Sequence, residues 1–477
     1  MKKFEKAGDY EAPLRYFEEI SAVPRASGKE ERIADYLCAF AACRGLSCYR
    51  DAKHNVFVKK AGSAGREHEP PLLMQAHSDM VAAKIETCAH DFDTEGICLV
   101  REGDILRADG TTLGADDGAG VAMILAVLAD DTLSHPPLEC LFTVSEEIGL
   151  LGAAAFDYSR VAARRMLNLD SSEEDKIVTG CCGGLRTDLT LPLAAAPNEK
   201  AGLAVTVDGL CGGHSGEDIH RGRGNALSMM GELLTALLQT GTVSLGEIRG
   251  GDKDNVIPRF CRAEIVTDDI GRAERVLTGK AAQLKALCKA PEDAGLTFTF
   301  TPTVPPRVFP SADTARVARL LTIRTGVLAY RPDGVLPDLS RNVATVVTNE
   351  NGVTVGLSTR STEPARIADC SKEVEAVAAE AGAKFVHYGA YPGWESPADS
   401  TVVKTWQKAY TAVTGKTAAP CVIHAGLECG LISAGLPGLE AISVSCDIEG
   451  LHTPAERMDL ASLGRIYRTV LTFLKEI

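Results

Sequence analysis

This 477-residue chain has no long hydrophobic run and no excess of basic charge. No window approaches the ~20 consecutive apolar residues of a membrane span, so we expect no membrane-spanning segment. The 50 basic and 64 acidic residues give a net charge of −14, and no basic run with interleaved aromatic residues is present. This balance disfavours nucleic acid and anionic membranes as partners.

The chain also has no visible secretory signal and no familiar cysteine motif. Its first residues, MKKFEKAGDYEAPLRYF, contain lysines but no apolar stretch, so we expect a cytoplasmic protein. The fifteen cysteines include no CxxC pair, and their spacing fits neither a zinc ribbon nor a thioredoxin motif. We expect most of them to be free, buried thiols in a reducing compartment.

Residues 1–185 show an alternation of strand and helix patterns. Short apolar strands are predicted at PLLMQAH, LECLFTV and RRMLNLD, and GAGVAMILAVLAD predicts an apolar helix between the first two. Ser27 and Glu30 in ASGKEERIADYLCAFAAC predict a capping box at the start of an amphipathic helix. This alternation is typical of an α/β fold, a mostly parallel sheet with helices on both faces.

Residues 186–398 follow another pattern. Alternating segments such as AGLAVTVDGL and VTVGLSTRS, together with the helix NALSMMGELLTALLQT, predict an α+β domain whose sheet has one solvated face. We therefore predict a catalytic domain in two parts, residues 1–185 and 399–477, interrupted by an inserted domain over 186–398. The length of the insertion also allows two fused subdomains.

Acidic and imidazole groups follow several of the apolar segments. The adjacent glutamates of PLECLFTVSEE are costly to place together, because like charges repel. A metal site offsets this cost when one carboxylate binds a cation and the other handles a proton. Candidate partners for such a site stand in five segments, which contribute His77 and Asp79, Asp116, Glu146 and Glu147, Asp170, and His452.

Each of these motifs has an ordinary alternative. A glutamate pair is usually a solvated helix face, and an isolated HxD arises by chance more often than as a metal site. A solvated face, however, would not place its charges only at the ends of buried strands, whereas an α/β protein presents its ligands there. The combination predicts a two-metal hydrolase.

A pair of divalent metals needs one bridging carboxylate, with an imidazole and a further carboxylate on each side. Such a nitrogen and oxygen shell suits Zn²⁺ and tolerates Mn²⁺ or Co²⁺. We therefore expect two divalent ions per chain, Zn²⁺ first, with Co²⁺ or Mn²⁺ as alternatives. The predicted ligands are His77, Asp116, Glu147, Asp170 and His452.

Two carboxylates remain for other work. Asp79 stands two residues after His77, and we expect it to accept the ring N–H of His77 and to fix its tautomer. Glu146 is then free of metal. We expect it to act as the general base, taking a proton from the attacking water and passing it to the leaving amine.

The sequence resembles the M20 metallopeptidase family, and within it the aminoacyl-histidine dipeptidases. The resemblance extends over nearly the whole chain and implies a zinc-peptidase-like catalytic domain with the inserted domain as its lid. It implies that Asp116 bridges the metals, that His77 and Asp170 hold one of them, and that Glu147 and His452 hold the other. The segments that carry it follow in this order: HSDMV, LGADDG, SEEIG, NLDSSEE, GGHSGEDIH, NVIPR, STRS, HAGLECG and HTPAE.

The resemblance also implies roles for four residues outside the metal motifs. His214 resembles the histidine that stabilises the oxyanion, within its own chain or across a dimer. Asn255 and Arg360 resemble groups that hold the terminal carboxylate of a dipeptide, and Gly426 resembles a backbone contact to substrate. The alternatives are turn residues for Asn255 and Gly426 and a solvated surface arginine for Arg360.

One departure from the family concerns the residue after Asp116. Relatives commonly have asparagine there, whereas this chain has Asp117. The extra carboxylate either adds negative charge near the metals or faces away from them. It removes no ligand.

The function that we expect is hydrolysis of unblocked dipeptides, including Xaa-His dipeptides, by metal-activated water. Aminoacylase, tripeptidase and glutamate carboxypeptidase activities share the metal set and differ only in the lid pocket. The third alternative is a non-catalytic metal-binding protein with the same fold. Loss of Glu146 or of a metal ligand from the sequence would have supported it, but all of them are present. We expect a small peptide as partner, with no nucleic acid and no membrane, and a homodimer is compatible with this expectation.

Overall fold

The structure is a computed structural model that describes residues 10–332 and 334–477. Residues 1–9 lie outside the described residues. The prediction that the chain has no secretory signal rests partly on them. The described chain divides into two compact units. Unit 1 comprises the residues up to Cys181, Trp394–Val422 and Leu427–Ile477, and unit 2 comprises Cys182–Gly393 and Ile423–Gly426.

The first stretch of the chain, up to Cys181, forms four α-helices and eight strands among its described residues. The helices are α1 (Glu11–Ser21), α2 (Glu31–Cys43), α3 (Ala115–Ala129) and α4 (Leu151–Ala155). The strands are β1 (Ser47–Arg50), β2 (Val56–Lys60), β3 (Leu72–His77), β4 (Leu99–Glu102), β5 (Ile105–Ala108), β6 (Leu138–Thr143), β7 (Arg165–Asn168) and β8 (Lys176–Cys181).

The second stretch contains most of the longer strands. Its helices are α5 (Ala226–Leu238), α6 (Ile270–Leu287), α7 (Ser311–Leu321) and α8 (Pro364–Ala381). Its strands are β9 (Gly183–Pro192), β10 (Ala196–Pro197), β11 (Gly202–Asp208), β12 (Val243–Gly250), β13 (Cys261–Thr267), β14 (Thr297–Thr303), β15 (Arg307–Val308), β16 (Gly326–Tyr330), β17 (Pro337–Asn349), β18 (Gly352–Ser361) and β19 (Lys384–Tyr391).

The last stretch, from Trp394 onward, returns to shorter strands and ends on a long helix. Its helices are α9 (Thr401–Thr414), α10 (Glu428–Gly435) and α11 (Leu460–Glu476). Its strands are β20 (Trp394–Glu395), β21 (Ala419–Ile423), β22 (Glu440–Ser443), β23 (Ile448–Glu449) and β24 (Arg457–Asp459).

A nine-stranded sheet forms the centre of unit 1. Its order is β1-β2-β6-β3-β7-β22-β8-β20, with β21 paired to β8. The four central strands β6, β3, β7 and β22 are parallel, whereas the pairs at both margins are antiparallel. The predicted α/β class is confirmed, and the parallel pairing is confined to the centre of the sheet.

Burial explains why these segments form the centre. Every residue of β3 and of β6 is buried, so both faces of the sheet are covered there, as a parallel sheet requires. Helix α3 is apolar around nearly its whole circumference, which is typical of a helix buried inside a core. It packs against β3 and α1, and the same core takes in α9 and α11. A small antiparallel sheet, β23-β24-β5-β4, completes unit 1.

Unit 2 is an α+β structure with its own core. Its main sheet has the order β14-β11-β13-β12-β17-β18-β9-β19, with β16 paired to β17. The strand pairs of this sheet are antiparallel. Strands such as β14 alternate between exposed and partly buried residues, which is the pattern of a sheet with one solvated face. This confirms the predicted α+β character of the second domain.

The predicted capping box at the start of α2 is wrong. The helix begins at Glu31, and no side-chain hydrogen bond caps it. The Ser27 hydroxyl instead donates to Asp79 Oδ2, and Glu30 Oε1 accepts from Gly28 N and from Ser145. Both side chains therefore contact residues far away in the sequence.

Two predictions made from composition concern the cysteines and the helices. All fifteen cysteines are free, as predicted, although only seven of them are buried: Cys140, Cys181, Cys182, Cys261, Cys370, Cys429 and Cys446. Within residues 10–332 and 334–477, no helix has the length and apolar character needed to cross a membrane.

Candidate active site

Three neighbouring parallel strands of unit 1 carry candidate residues at the same edge of the sheet. His77 is the last residue of β3, Glu146 and Glu147 follow the end of β6, and Asp170 follows the end of β7. These strands lie side by side in the order β6-β3-β7. Because parallel strands end at one edge, the topology brings four side chains of distant sequence position together.

Asp116 and His452 complete this cluster from outside the sheet. Asp116 lies at the start of α3, behind Gly114, whose φ of +69° favours glycine. Asp116 Oδ1 lies 2.9 Å from His77 Nε2, and its Oδ2 lies 3.1 Å from His452 Nε2. The two oxygens of one carboxylate thus face two imidazoles.

The remaining two ligand candidates each lie beside one imidazole. Asp170 Oδ1 is 3.7 Å from His77 Nε2, and Glu147 Oε2 is 3.1 Å from His452 Nε2. Ligand atoms of His77, Asp116 and Glu147 all lie within 4.8 Å of one another. The His77 side chain is 1% exposed, whereas that of His452 is 49% exposed. The cluster therefore has an inner half and an outer half.

Asp79 lies behind His77 and is completely buried. Its Oδ1 is 3.4 Å from His77 Nδ1, on the side of the ring that faces away from Asp116. The same carboxylate accepts the backbone N–H groups of Glu146 (3.0 Å) and Glu147 (3.4 Å). Asp79 thus connects the end of β3 with the turn that follows β6.

Burial and neighbouring carboxylate charges raise the pKa of three carboxylates of the cluster, whereas His452 and His77 outweigh burial at Asp116 and lower its pKa. Burial and the charge of Asp170 raise the pKa of Glu146 well above its usual value. Burial likewise raises the pKa of Asp170, and burial together with Asp116 raises that of Glu147. Like charges in a desolvated site oppose ionisation. A divalent cation among these groups would reverse this balance.

The pKa values of the two histidines are also raised, because the neighbouring carboxylates stabilise the charged imidazolium. Burial opposes the charge on His77, but Asp170, Asp116 and Asp79 raise the pKa of its imidazole well above the usual value. Burial is likewise outweighed at His452, where Asp116 and Glu147 raise the pKa to about 11. The neighbouring carboxylates therefore favour the protonated form of both imidazoles.

The donor set fits divalent metal ions. Imidazole nitrogen and carboxylate oxygen are the ligands that Zn²⁺ takes in open sites. Glu147 Oε1 is buried and has no hydrogen-bond partner among the described residues, a costly state that a cation would relieve. Metal binding would displace the protons of both imidazoles.

The Asp117 carboxylate accepts backbone N–H groups beside the cluster. Its side chain is buried, with Oδ1 accepting from Gly120 N (3.0 Å) and Oδ2 accepting from His77 N (3.3 Å). Burial and nearby Asp170 raise the pKa of its carboxyl well above the usual value. Asp117 thus holds the backbone of His77 and the first turn of α3.

Sequence reasoning missed Glu456. Its carboxylate accepts four consecutive backbone N–H groups, those of Leu113, Gly114, Ala115 and Asp116, at 2.8–3.3 Å. Glu456 thereby fixes the loop that presents Asp116, and it does so from the segment that also carries His452. Its position in HTPAE gave no sign of this, because an acidic residue in a loop is usually solvated.

Glu428, in the HAGLECG segment, is a second buried carboxylate that was missed. Its Oε2 accepts from Gln75 Nε2 and from Thr143 Oγ1, both at 2.6 Å. Gln75 Oε1 accepts from Asn168 Nδ2, which extends the network to β7. Burial raises the pKa of Glu428 to about 7. The network connects β3, β6 and β7 immediately before their functional ends.

The four remaining candidates lie in unit 2. His214 and Asn255 stand on segments that pair with each other: His214 bridges Val256, and Ser215 N donates to Asn255 O (2.8 Å). Glu217 N donates to His214 Nδ1 (3.2 Å). The loop around His214 is therefore held by the segment around Asn255, which is distant in sequence, and by a bond within the loop itself.

Arg360 and Gly426 meet at Tyr391. The buried guanidinium of Arg360 donates to Tyr391 Oη (2.8 Å). A Cβ on Gly426 would lie 2.6 Å from the same ring, so only glycine fits there. His424 lies nearby, and its Nε2 is 2.7 Å from Ser340 Oγ. Burial, together with the charge of Arg360, lowers the pKa of His424 to about 3. Arg360 is thus a buried cation rather than a solvated surface arginine.

Comparison with known proteins gives consistent results. Residues 73–476 match peptidase family M20/M25/M40. The chain is 33% identical over 480 residues to the cytosol non-specific dipeptidase of Escherichia coli (strain K12), covering 97% of this chain and 96% of that protein. The solved structure of aminoacylhistidine dipeptidase from Vibrio alginolyticus is similar with a TM-score of 0.80 and 33% identity, covering 100% of this chain and 98% of that one.

A more distant structure shares the fold. A tripeptidase from Staphylococcus aureus subsp. aureus Mu50 is similar with a TM-score of 0.57 and 17% identity, covering 98% of both chains. Peptidases of this family are metal-dependent, and unit 1 contains a group of side chains that could hold a metal. The family match over residues 73–476 and the 33% identity over nearly the full length lead to one conclusion. The chain belongs to peptidase family M20/M25/M40.

Proposed function

We propose that this enzyme hydrolyses the peptide bond of unblocked dipeptides, including Xaa-His dipeptides, with two divalent metal ions held in unit 1. The observation that supports this most is the position of Asp116, whose two oxygens face His77 and His452 at 2.9 and 3.1 Å. A carboxylate between two imidazoles is the arrangement expected of a bridging ligand. Zn²⁺ is the ion that we propose, with Co²⁺ or Mn²⁺ as substitutes.

The ligands divide into the two halves described above. His77 and Asp170 would hold one ion in the buried half, and Glu147 and His452 the other in the exposed half, with Asp116 shared. When bound, the ions supply electrophilic activation of the scissile carbonyl and a lowered pKa for water. Asp79 faces His77 Nδ1, so it would keep Nε2 free to bind metal.

Glu146 is the carboxylate that we propose as general base. Its neighbour Glu147 lies against His452, whereas no ligand role is left for Glu146. Its backbone N–H is fixed by Asp79, which restricts the turn on which it stands. Its carboxylate would take a proton from the attacking water and deliver it to the leaving amine.

Unit 2 would recognise the substrate. Arg360 is 7% exposed and keeps its charge, so it would form a charge-assisted pair with the terminal carboxylate of a dipeptide. We propose that Asn255 and the backbone at Gly426 bind the same end of the substrate. His214 would stabilise the oxyanion by hydrogen bonding.

The choice of dipeptides over other substrates rests on the relatives. The two proteins at 33% identity are named a non-specific dipeptidase and an aminoacylhistidine dipeptidase. Because the E. coli protein is named a cytosol enzyme, we also propose a cytoplasmic location for this chain. A homodimer stays a prediction.

A substrate panel tests the proposal. Purified, metal-loaded enzyme would be assayed with dipeptides that include Xaa-His members, with tripeptides, with N-acetyl amino acids and with glutamate-releasing substrates. We expect the highest kcat/KM for free dipeptides. A preference for tripeptides, for N-acetyl amino acids or for glutamate release would replace dipeptidase by the corresponding activity, and no hydrolysis at all would favour a metal-binding role.

A further inference from the structure

The segment Arg25–Glu30 lies outside the part of the chain that matches the family, residues 73–476, yet it contacts three turns of the candidate site. We propose that Arg25, Ser27 and Glu30 form a positioning segment that fixes Asp79 and the turn carrying Glu146. This inference rests on the proposed function, because it gives the segment a role in that reaction. We call residues Arg25–Glu30 the positioning segment.

Ser27 is the residue of this segment that touches Asp79 directly. Its hydroxyl donates to Asp79 Oδ2 at 2.7 Å. Asp79 Oδ1 meanwhile accepts the N–H of Glu146 and faces the ring of His77. The Ser27 hydroxyl therefore occupies one side of a carboxylate whose other side holds both a proposed ligand and the proposed base.

The backbone of the segment is paired with the chain beside Asp79. Ala26 and Met80 form a parallel bridge, Met80 N donates to Arg25 O (3.1 Å), and Ser27 N donates to Met80 O (3.2 Å). These bonds set the distance between Ser27 and Asp79 through the backbone. The contact between the two short side chains is therefore supported by the paired backbone.

Arg25 connects the Asp79 turn with the loop that presents Asp116. Its guanidinium is buried and donates to the carbonyl oxygens of Ser78 (3.3 Å), Asp79 (3.1 Å) and Gly114 (2.5 Å). A Cβ at Gly114 would lie 2.7 Å from Arg25 Nη2. The glycine thus provides the space through which Arg25 reaches both turns.

Glu30 fixes the turn that follows β6. Its Oε1 accepts the N–H (2.9 Å) and the hydroxyl (2.7 Å) of Ser145 and the N–H of Gly28 (2.7 Å). Ser145 precedes Glu146 and has a φ of +53°, which is an unusual conformation for a serine. Glu30 therefore holds the backbone in the conformation from which Glu146 emerges.

Together the three side chains bond three turns of one site, those of Asp79, Asp116 and Glu146. This distinguishes them from ordinary packing contacts. Loss of groups that orient metal ligands typically costs 10–100-fold in activity or metal affinity. Ser27 acts through Asp79 rather than on a ligand, so we place its effect at the lower end of this range, about tenfold. Substrate contacts are not altered, and KM should therefore change little.

The test compares Ser27→Ala with Ser63→Ala and Ser27→Thr. Ser63 is a matched control, because its hydroxyl also makes a partly buried hydrogen bond in unit 1, to His135 O, and its hydrogen-bond partners are His135 and Arg66 rather than candidate residues. For Ser27→Ala we expect kcat to fall about tenfold with KM nearly unchanged. Ser27→Thr keeps the hydroxyl and should recover most of the loss, and Ser63→Ala should match wild type.

Hydrogen exchange gives a readout that does not need activity. In Ser27→Ala, the backbone amides of Glu146 and Glu147 should exchange about fivefold faster, the factor that corresponds to a hydrogen bond of ~1 kcal/mol. The effect should be present in the metal-free and the metal-loaded protein, and it should be absent in Ser63→Ala.

The outcomes separate the two proposals. If wild type hydrolyses dipeptides and Ser27→Ala equals Ser63→Ala in kcat, the positioning role is overturned while the proposed function stands. If wild type has no hydrolase activity, the proposed function fails, and the exchange measurement alone decides whether the segment fixes the turn. Unchanged exchange at Glu146 and Glu147 overturns the inference in either case.

Discussion

The two units gather their candidate residues in different ways. In unit 1, three parallel strands end side by side, so His77, Glu147 and Asp170 become neighbours through the topology of the sheet. In unit 2 the sheet is antiparallel, and the candidates stand on separate loops and on β18, which ends at Ser361. Arg360 and Gly426, for example, both lie against Tyr391.

The charges of the two units differ as well. The cluster in unit 1 contains buried carboxylates, and burial together with neighbouring carboxylate charges raises the pKa values of Glu146 and Asp170. Such a site attracts cations. The group in unit 2 contains a buried guanidinium, Arg360, and such a site attracts anions. We therefore expect substitutions in the unit 1 cluster to lower kcat and substitutions of the proposed carboxylate-binding residues of unit 2 to raise KM.

The largest effect is expected for Glu146→Gln. Loss of a general base typically costs ~10²–10⁴-fold, so kcat should fall by that factor while metal content stays near that of wild type. Steady-state kinetics and metal analysis of the same preparation check both parts. More than about a tenth of wild-type activity would contradict the role that we propose for Glu146.

Glu139→Gln is the matched control for that substitution. Glu139 is a buried carboxylate on the same strand, β6, but near its other end, where it pairs with Lys59 and accepts from Ala162 N and Ala163 N. Its loss should lower stability and leave kcat unchanged. An equal fall in kcat for both variants would show that the effect of Glu146 is structural.

The next effect is expected for Arg360→Ala, and it should appear mainly in KM. Losing a buried charge-assisted contact to a carboxylate costs about 2–4 kcal/mol, or ~30- to 1000-fold in kcat/KM. Arg319→Ala, which removes a half-exposed arginine of unit 2, serves as control.

A dipeptide amide sharpens the same test. It has no terminal carboxylate, so wild type and Arg360→Ala should hydrolyse it equally slowly. Hydrolysis of free dipeptides by the variant at the wild-type rate would show that Arg360 does not bind substrate. It would also contradict the assignment of substrate recognition to unit 2.

The smallest effect concerns the pH dependence of stability. The pKa of His424 is lowered to about 3 in the folded state, below the ~6.5 of an unfolded histidine. Between these values the unfolded chain binds the extra proton, so the contribution of His424 to stability is full above pH ~6.5 and falls as the pH drops toward 3.

The variant His424→Gln cannot take up this proton. Its unfolding free energy should fall less than that of wild type between pH 7 and 5, by about 1–2 kcal/mol, measured by denaturant unfolding. Parallel curves for the two proteins would argue against a buried neutral histidine.

The sequence predicted the α/β class and the central strands of unit 1 because these strands are continuous apolar runs separated by helices. PLLMQAH and LECLFTV became β3 and β6, with α3 between them. The grouping of His77, Asp116 and His452 followed instead from the ligand set that a pair of metals needs and from the family resemblance. Their roles as ligands stay predictions.

Contacts between distant segments could not be predicted in the same way. Ser27 and Glu30 have the spacing of a capping box, yet their partners, Asp79 and Ser145, lie 52 and 115 residues further along the chain. Glu456 accepts N–H groups more than 300 residues away. No local pattern distinguishes such side chains from solvated ones, because their partners are defined only by the folded topology.

The central claim is that the cluster of unit 1 holds two catalytic metal ions. The most direct test is to titrate chelator-treated protein with Zn²⁺ while following metal content and dipeptide hydrolysis together. We predict that activity rises until about two ions are bound per chain, since five ligands are too many for one tetrahedral ion, and that Co²⁺ or Mn²⁺ also restores it. Full activity at one ion per chain, or activity unaffected by the chelator, would contradict the claim.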